Sequence, residues 1–193
     1  MIEIFPDAQS LAAAAAAAVV DRLSYRLRLK GSASLVATGG RSPGAVYDIL
    51  SAAALDWSKV SITLSDERFV DPASEGSNER LVRERLLQGR AARAQFLGLR
   101  GTAPTPQAAA AEASAALRDW PAFEVVLLGM GEDGHVASLF PGSPALYRRS
   151  RGRGPPSGPA APQPHPAAAG VVAAGDHPGQ RRGKAARART GAR

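Results

Sequence analysis

Short apolar runs alternate with stretches of helical periodicity along residues 1–147, the pattern of a parallel sheet covered by helices. Ile2 to Phe5 reads as a first strand. It leads through Asp7, a residue type that caps helices, into a long helix whose Leu11, Val19, Val20, Leu23 and Leu27 fall near one face, with Gly31 closing it. Ala33 to Thr38 predicts a second strand, after which Gly39-Gly40-Arg41-Ser42 turns into a helix opened by Pro43 and running to about Ala54. The third strand, Val60 to Ser65, ends in Asp66-Glu67-Arg68. Ser77 or Asn78 then caps a helix reaching about Gln88. Gln95 to Leu99 predicts a short strand, and Pro106 to Leu117 an alanine-rich helix. Phe123 to Met130 is an apolar run expected to be buried on both faces. It empties into Gly131-Glu132-Asp133-Gly134-His135. The expected fold class is α/β, a Rossmann-like open, mostly parallel sheet flanked by helices.

A chain of 193 residues suits one such core and not two. Charge divides it unevenly. Residues 1–147 hold 14 Lys plus Arg against 16 Asp plus Glu, a net −2, whereas 148–193 hold 10 against 1, a net +9. The overall charge of +7 therefore belongs to the tail. Of its 46 residues, 35 are Arg, Gly, Pro or Ala, and Leu, Ile, Phe and Met are absent, so it cannot bury an ordinary core. The expected division is an α/β domain over 1–147 and a low-complexity basic tail over 148–193. All four dominant residue types have codons beginning with two G or C bases, the composition that a GC-rich gene read out of frame produces. Disorder is the other expectation; with a genuine tail of this composition the sheet lacks its last strands.

The absence of cysteine removes disulfides, thiolate catalysis and Cys-based metal sites, and fits a reducing, cytoplasmic setting. No basic, apolar leader opens the chain, and no charge-free stretch of about 18 apolar residues occurs, so no membrane partner is expected.

Ligands of open parallel sheets bind beyond the carboxyl ends of the strands, where three strands here deliver polar or glycine-rich segments. Backbone N–H groups from Gly39 and Gly40 to Arg41 and Ser42, at a helix N-terminus, suit an anion. Arg68 can grip a phosphate through two parallel hydrogen bonds, or it can pair with Asp66, Glu67 or Asp71. His135, the sole histidine before the tail, fits a general base near neutral pH; a capping or core histidine is the plainer alternative. If His135 opens a helix after Gly134, the helix dipole favours the neutral ring. Asp133 can orient that ring, and N–H groups of Gly131 or Gly134 can face an oxyanion. Asn78 either hydrogen-bonds substrate or caps its helix.

Taken together, LLGMGEDGHVASLFPGS at Leu127 to Ser143, SDERFV at Ser65 to Val70, SNERLVRERLL at Ser77 to Leu87 and TGGRSP at Thr38 to Pro43 resemble the 6-phosphogluconolactonase family, within the glucosamine/galactosamine-6-phosphate isomerase superfamily. Four motifs in register are more specific than any lone glycine loop. Glucosamine-6-phosphate deaminases share the aspartate-glycine-histidine turn but continue with alanine, phenylalanine, asparagine and glutamate. Here Val136-Ala137-Ser138-Leu139-Phe140-Pro141 follows.

The resemblance implies a carboxylic ester hydrolase that converts 6-phospho-D-glucono-1,5-lactone to 6-phospho-D-gluconate in the oxidative pentose phosphate pathway. His135 and Asp133 are its implied catalytic residues. Gly39, Gly40, Arg41, Ser42, Asp66, Arg68, Asn78, Gly131 and Gly134 form its implied substrate and phosphate site. It implies no cofactor, no metal, no specific nucleic acid, and a monomer or weak homo-oligomer. Past about Leu146 the resemblance stops, and Lys184 does not take the phosphate role of a lysine found in relatives. Two rivals stand beside this reading: a phosphosugar-binding relative without catalysis on the same scaffold, which would keep Arg68 and Gly40 but not need His135, and a nucleic-acid binder driven by the tail.

Overall fold

A computed structural model describes residues 2–120, 122–143 and 146, together with the backbone of 169–174. The basic tail outside 169–174 lies beyond the described residues, as do Tyr147 and Lys184. Among the described residues no helix is long and apolar enough to cross a membrane.

Helix α1, Ala8–Lys30, starts where Asp7 accepts the Ser10 N–H and ends at Gly31, with Arg28 and Lys30 in the last turn opposing the dipole. Its buried face is mostly alanine (Ala12, Ala15, Ala16) with Val19 and Leu23. Small side chains let the helix approach the sheet closely. Strand β1 is Ala33–Ala37, α2 Pro43–Ser51, β2 Val60–Leu64, α3 Asn78–Arg85, β3 Gln95–Phe96, α4 Pro106–Ala116 and β4 Val125–Met130. A final strand, β5, spans Ala169–Ala174. Short 3-10 turns precede β2 and β3.

All pairings are parallel, in the order β3-β2-β1-β4-β5. The Rossmann-like, open parallel sheet expected from the pattern is thus the observed fold. Residues of period two point from β1, β2 and β4 to one face, where Leu35, Ile62, Val125 and Leu127 meet Val19, Leu23, Val46, Leu50, Val82 and Leu86 from the helices. Each fully buried Leu or Ile of this core is worth roughly 1.5–3 kcal/mol. Glu124, just before β4, is clamped by Arg22 (3.3 Å) and Arg26 (3.0 Å) of α1, fixing where that strand enters the sheet. The opposite face carries Val36, Thr63, Val126 and Leu128 along an open apolar cavity of about 370 Å³.

Two expectations are corrected. Ile2 to Phe5 forms no strand; Ile2 and Ile4 are 92% exposed, because a four-residue segment without a neighbouring strand has no ladder to join. The sheet also does not stop at β4: residues 169–174 pair with it over six positions, since backbone hydrogen bonding does not require the large side chains the tail lacks.

Candidate active site

The chain passes from β1 through α2 to β2 on one side and later places β4 on the other side of β1. Strand order therefore reverses between β1 and β4, and the loops leaving these two strands flank the crevice where such sheets bind ligands. A cleft of about 1390 Å³ opens there, lined by Gly39, Gly40, Arg41, Ser42, Asp66, Arg68, Asn78, Gly131, Asp133 and His135. Residues far apart in the chain converge because all the strands point the same way.

The loop after β1 is set by Tyr47 of α2. Its hydroxyl donates to the Thr38 carbonyl (2.6 Å) and accepts the Thr38 N–H (2.8 Å). Burial pushes the phenol's pKa well above its ordinary range. Beyond this clamp Gly39 lies against the buried Asn78 carboxamide, which a Cβ would overlap, and Gly40 turns at φ 102°. Among the described residues none accepts a hydrogen bond from the N–H of Gly40, Arg41 or Ser42, and these three residues line the cleft at the start of α2. Ser42 makes no capping bond of its own, and Arg41 is exposed.

The loop after β2 is tied to α3 by Glu67, whose carboxylate accepts the N–H groups of Arg68 (2.8 Å), Asn78 (2.8 Å) and Glu79 (2.7 Å) and the Ser77 hydroxyl (3.1 Å). The sequence alone offers Glu67 only as a partner for Arg68. The serine-asparagine start of α3, which leaves N–H groups seeking an acceptor, was the available signal. Arg68 makes no ion pair among the described residues; its Nη1 donates to the Gly76 carbonyl (2.7 Å), and the exposed residue lines the cleft. Beside it, Phe69 is covered by the Arg100 guanidinium, 3.9 Å from the ring centre.

Asn78 is not the cap of α3. Ser77 is, accepting the Arg80 N–H (3.1 Å), while the Asn78 side chain, 2% exposed as a residue, donates to the Asp66 carbonyl (2.9 Å) and lies 3.4 Å from Asp66 Oδ1. The other Asp66 oxygen accepts the Ser138 hydroxyl (2.6 Å), a contact the sequence did not announce.

After β4 the chain makes a tight turn. Asp133 Oδ1 meets His135 Nδ1 at 2.5 Å and also receives the His135 N–H at 3.2 Å. The side-chain contact with His135 is the main cause holding the Asp133 carboxyl below its ordinary pKa. With the neutral ring donating from Nδ1, Nε2 carries the free lone pair. Phe140 lies 4.8 Å from the imidazole centroid, and Gly131 leaves room for the ring, which a Cβ there would overlap.

Two details differ from expectation. His135 opens no helix: Val136 bridges Met130 and Leu139 instead, so no helix dipole acts on the ring. The Gly131 N–H donates to the His135 carbonyl (2.8 Å) and the Gly134 N–H to the Gly131 carbonyl (2.9 Å); both amides are engaged within the turn rather than aimed at an oxyanion. Gly134 does not line the cleft.

An open parallel sheet with a histidine, a guanidinium and a glycine-lined helix start at its switch point belongs to the class of open α/β folds that bind ligands beyond the carboxyl ends of their strands. Residues 6–167 match the family described as glucosamine-6-phosphate isomerases/6-phosphogluconolactonase, and the chain belongs to that family. It is 46% identical over 140 residues to a 6-phosphogluconolactonase of Pseudomonas putida, covering 72% of this chain and 58% of that one. With a 6-phosphogluconolactonase of Rhizobium meliloti it shares 47% over 146 residues, 75% of this chain and 63% of the relative. The crystal structure of a 6-phosphogluconolactonase from Shewanella baltica superposes with a TM-score of 0.71 at 44% identity, covering 74% of this chain and 62% of that one. The Trypanosoma brucei 6-phosphogluconolactonase gives 0.64 at 29%, over 75% and 65%. The chain thus spans about three fifths of the length of the curated relatives it matches.

Proposed function

We propose that this chain hydrolyses 6-phospho-D-glucono-1,5-lactone to 6-phospho-D-gluconate in the cytoplasm, without a metal or cofactor, as a monomer or weak homo-oligomer. His135 Nε2 takes a proton from water as its oxygen bonds to the lactone carbonyl carbon. The ring ester bond then breaks, and the proton passes to the departing ring oxygen. Asp133 holds the imidazole in the tautomer that leaves Nε2 basic. The N–H groups from Gly40 to Ser42 and the Arg68 guanidinium receive the phosphate, and Asp66 and Asn78 border the sugar.

What supports this reading most is the convergence of the Asp133–His135 pair, Arg68 and the Gly40 loop on one cleft, in a chain similar to proteins named 6-phosphogluconolactonase. Its test is lactone hydrolysis above the spontaneous rate. His135→Ala should lose about 10²- to 10⁴-fold in kcat. Equal rates for the two proteins would sink the assignment.

A second reading is phosphosugar binding without turnover, since Arg68 and the Gly40 loop line the cleft whether or not His135 acts as a base. Retained affinity for 6-phosphogluconate with no hydrolysis above the spontaneous rate would establish it.

A further inference from the structure

The hydroxyl of Ser138 reaches across 72 positions of sequence to Asp66 Oδ2, at 2.6 Å. It leaves a turn whose Ala137 sits at φ 50°, a left-handed conformation that a side chain adopts only when its surroundings demand it. Reciprocal hydrogen bonds between Val136 and Leu139 (3.2 and 3.0 Å) close that turn, and Val136 also bridges Met130 at the end of β4. Asp66 is itself held: the Asn78 amide donates to its carbonyl, and the Ser65 hydroxyl donates to its Oδ1 at 3.1 Å. Asn78 in turn abuts Gly39.

We propose that Ser138 is a positioning residue, docking the His135 turn onto a fixed frame made of Asp66, Asn78 and Gly39. The inference rests on the lactonase reading for its kinetic consequence, though not for the contact itself. The frame side is anchored by the buried Asn78. On the turn side, Asp66 is the Ser138 side chain's partner, and Ser138 is exposed. Removing the hydroxyl therefore opens no cavity and leaves the Gly40 loop where it is. What it releases is the height of the imidazole over the cleft, three residues upstream. A base must sit within hydrogen-bond reach of the water it activates, so this displacement acts on kcat.

The experiment compares the full chain with Ser138→Ala and Ser138→Thr. Lactone hydrolysis, thermal midpoint and the imidazole ¹H–¹⁵N signals of His135 are measured for each. Ser138→Ala should lose about tenfold in kcat with KM changed less than about twofold. Its midpoint should stay near wild type, its His135 signals should shift, and threonine should recover both signals and rate. An unchanged kcat, a parallel change of KM and midpoint, or a threonine variant as poor as alanine would overturn the proposal. If wild type shows no hydrolysis, the lactonase reading fails separately and the signals decide. Shifted in alanine and recovered in threonine, they uphold the docking; unchanged in alanine, they refute it.

Discussion

Tyr47 satisfies both backbone groups of Thr38, donating to its carbonyl and accepting its N–H. Helix α2 thereby sets the last residue before the Gly39-Gly40 turn. Tyr47→Phe removes one hydroxyl and strands two buried backbone groups, which should cost about 1–3 kcal/mol. Urea denaturation measures it, and a change within about 0.5 kcal/mol would contradict the clamp.

Glu67 gathers three backbone N–H groups and a hydroxyl. Glu67→Ala leaves the start of α3 without its acceptor and should destabilise by about 2 kcal/mol. Because the same carboxylate holds the Arg68 backbone, KM should rise as well. A stable variant with unchanged KM would separate the two loops.

Arg68 offers a planar fork, which a lysine cannot reproduce. For Arg68→Lys the expected outcome is a KM about tenfold higher with kcat held within a few-fold. Isothermal titration with 6-phosphogluconate should show the same loss. Full affinity in that variant would remove Arg68 from the phosphate site.

Gly131 exists for space. A methyl there would meet the His135 ring and Asp133 Oδ1, so Gly131→Ala should displace the imidazole and lower kcat by about tenfold or more. Wild-type turnover in this variant would show that the ring is not held where the turn puts it.

Asp7 and Asp133 both have lowered pKa values, Asp7 chiefly through the Ser10 N–H and Asp133 chiefly through His135. A lowered folded-state pKa contributes stability that is present above the unfolded value and lost as pH falls through the folded one. The urea midpoint should therefore drop below about pH 4, near the unfolded carboxylate value. Asp7→Asn keeps a capping side chain but cannot titrate, so its acid limb should be shallower. Identical slopes would exclude Asp7 as a contributor.

Much of the fold was legible because its causes are local. The Asp7 cap, the Gly31 stop, Pro43 at the first turn of α2 and the apolar run of β4 act within a few residues, and each element lies where they predict. The strand ends carried the glycine turn, Arg68 and His135 in plain view, since a parallel sheet sends all its carboxyl ends to one edge. By contrast, Ile2 to Phe5 looked like a strand because its composition fits one, yet pairing needs a neighbour that pattern alone cannot supply. Residues 169–174 failed the compositional test and still joined the ladder through their backbone.

What the amino-acid order determined by itself was the inventory: which elements form, which residues end them, and which side chains can bear chemistry. Only the tertiary structure decided the pairings: Tyr47 with Thr38, Glu67 with the start of α3, Asn78 against Gly39 and Ser138 with Asp66. It also engaged the Gly131 and Gly134 amides inside their own turn. The reason is physical. Caps and periodicities depend on near neighbours along the chain, whereas a hydrogen bond across 72 positions depends on where two loops meet once the sheet has packed.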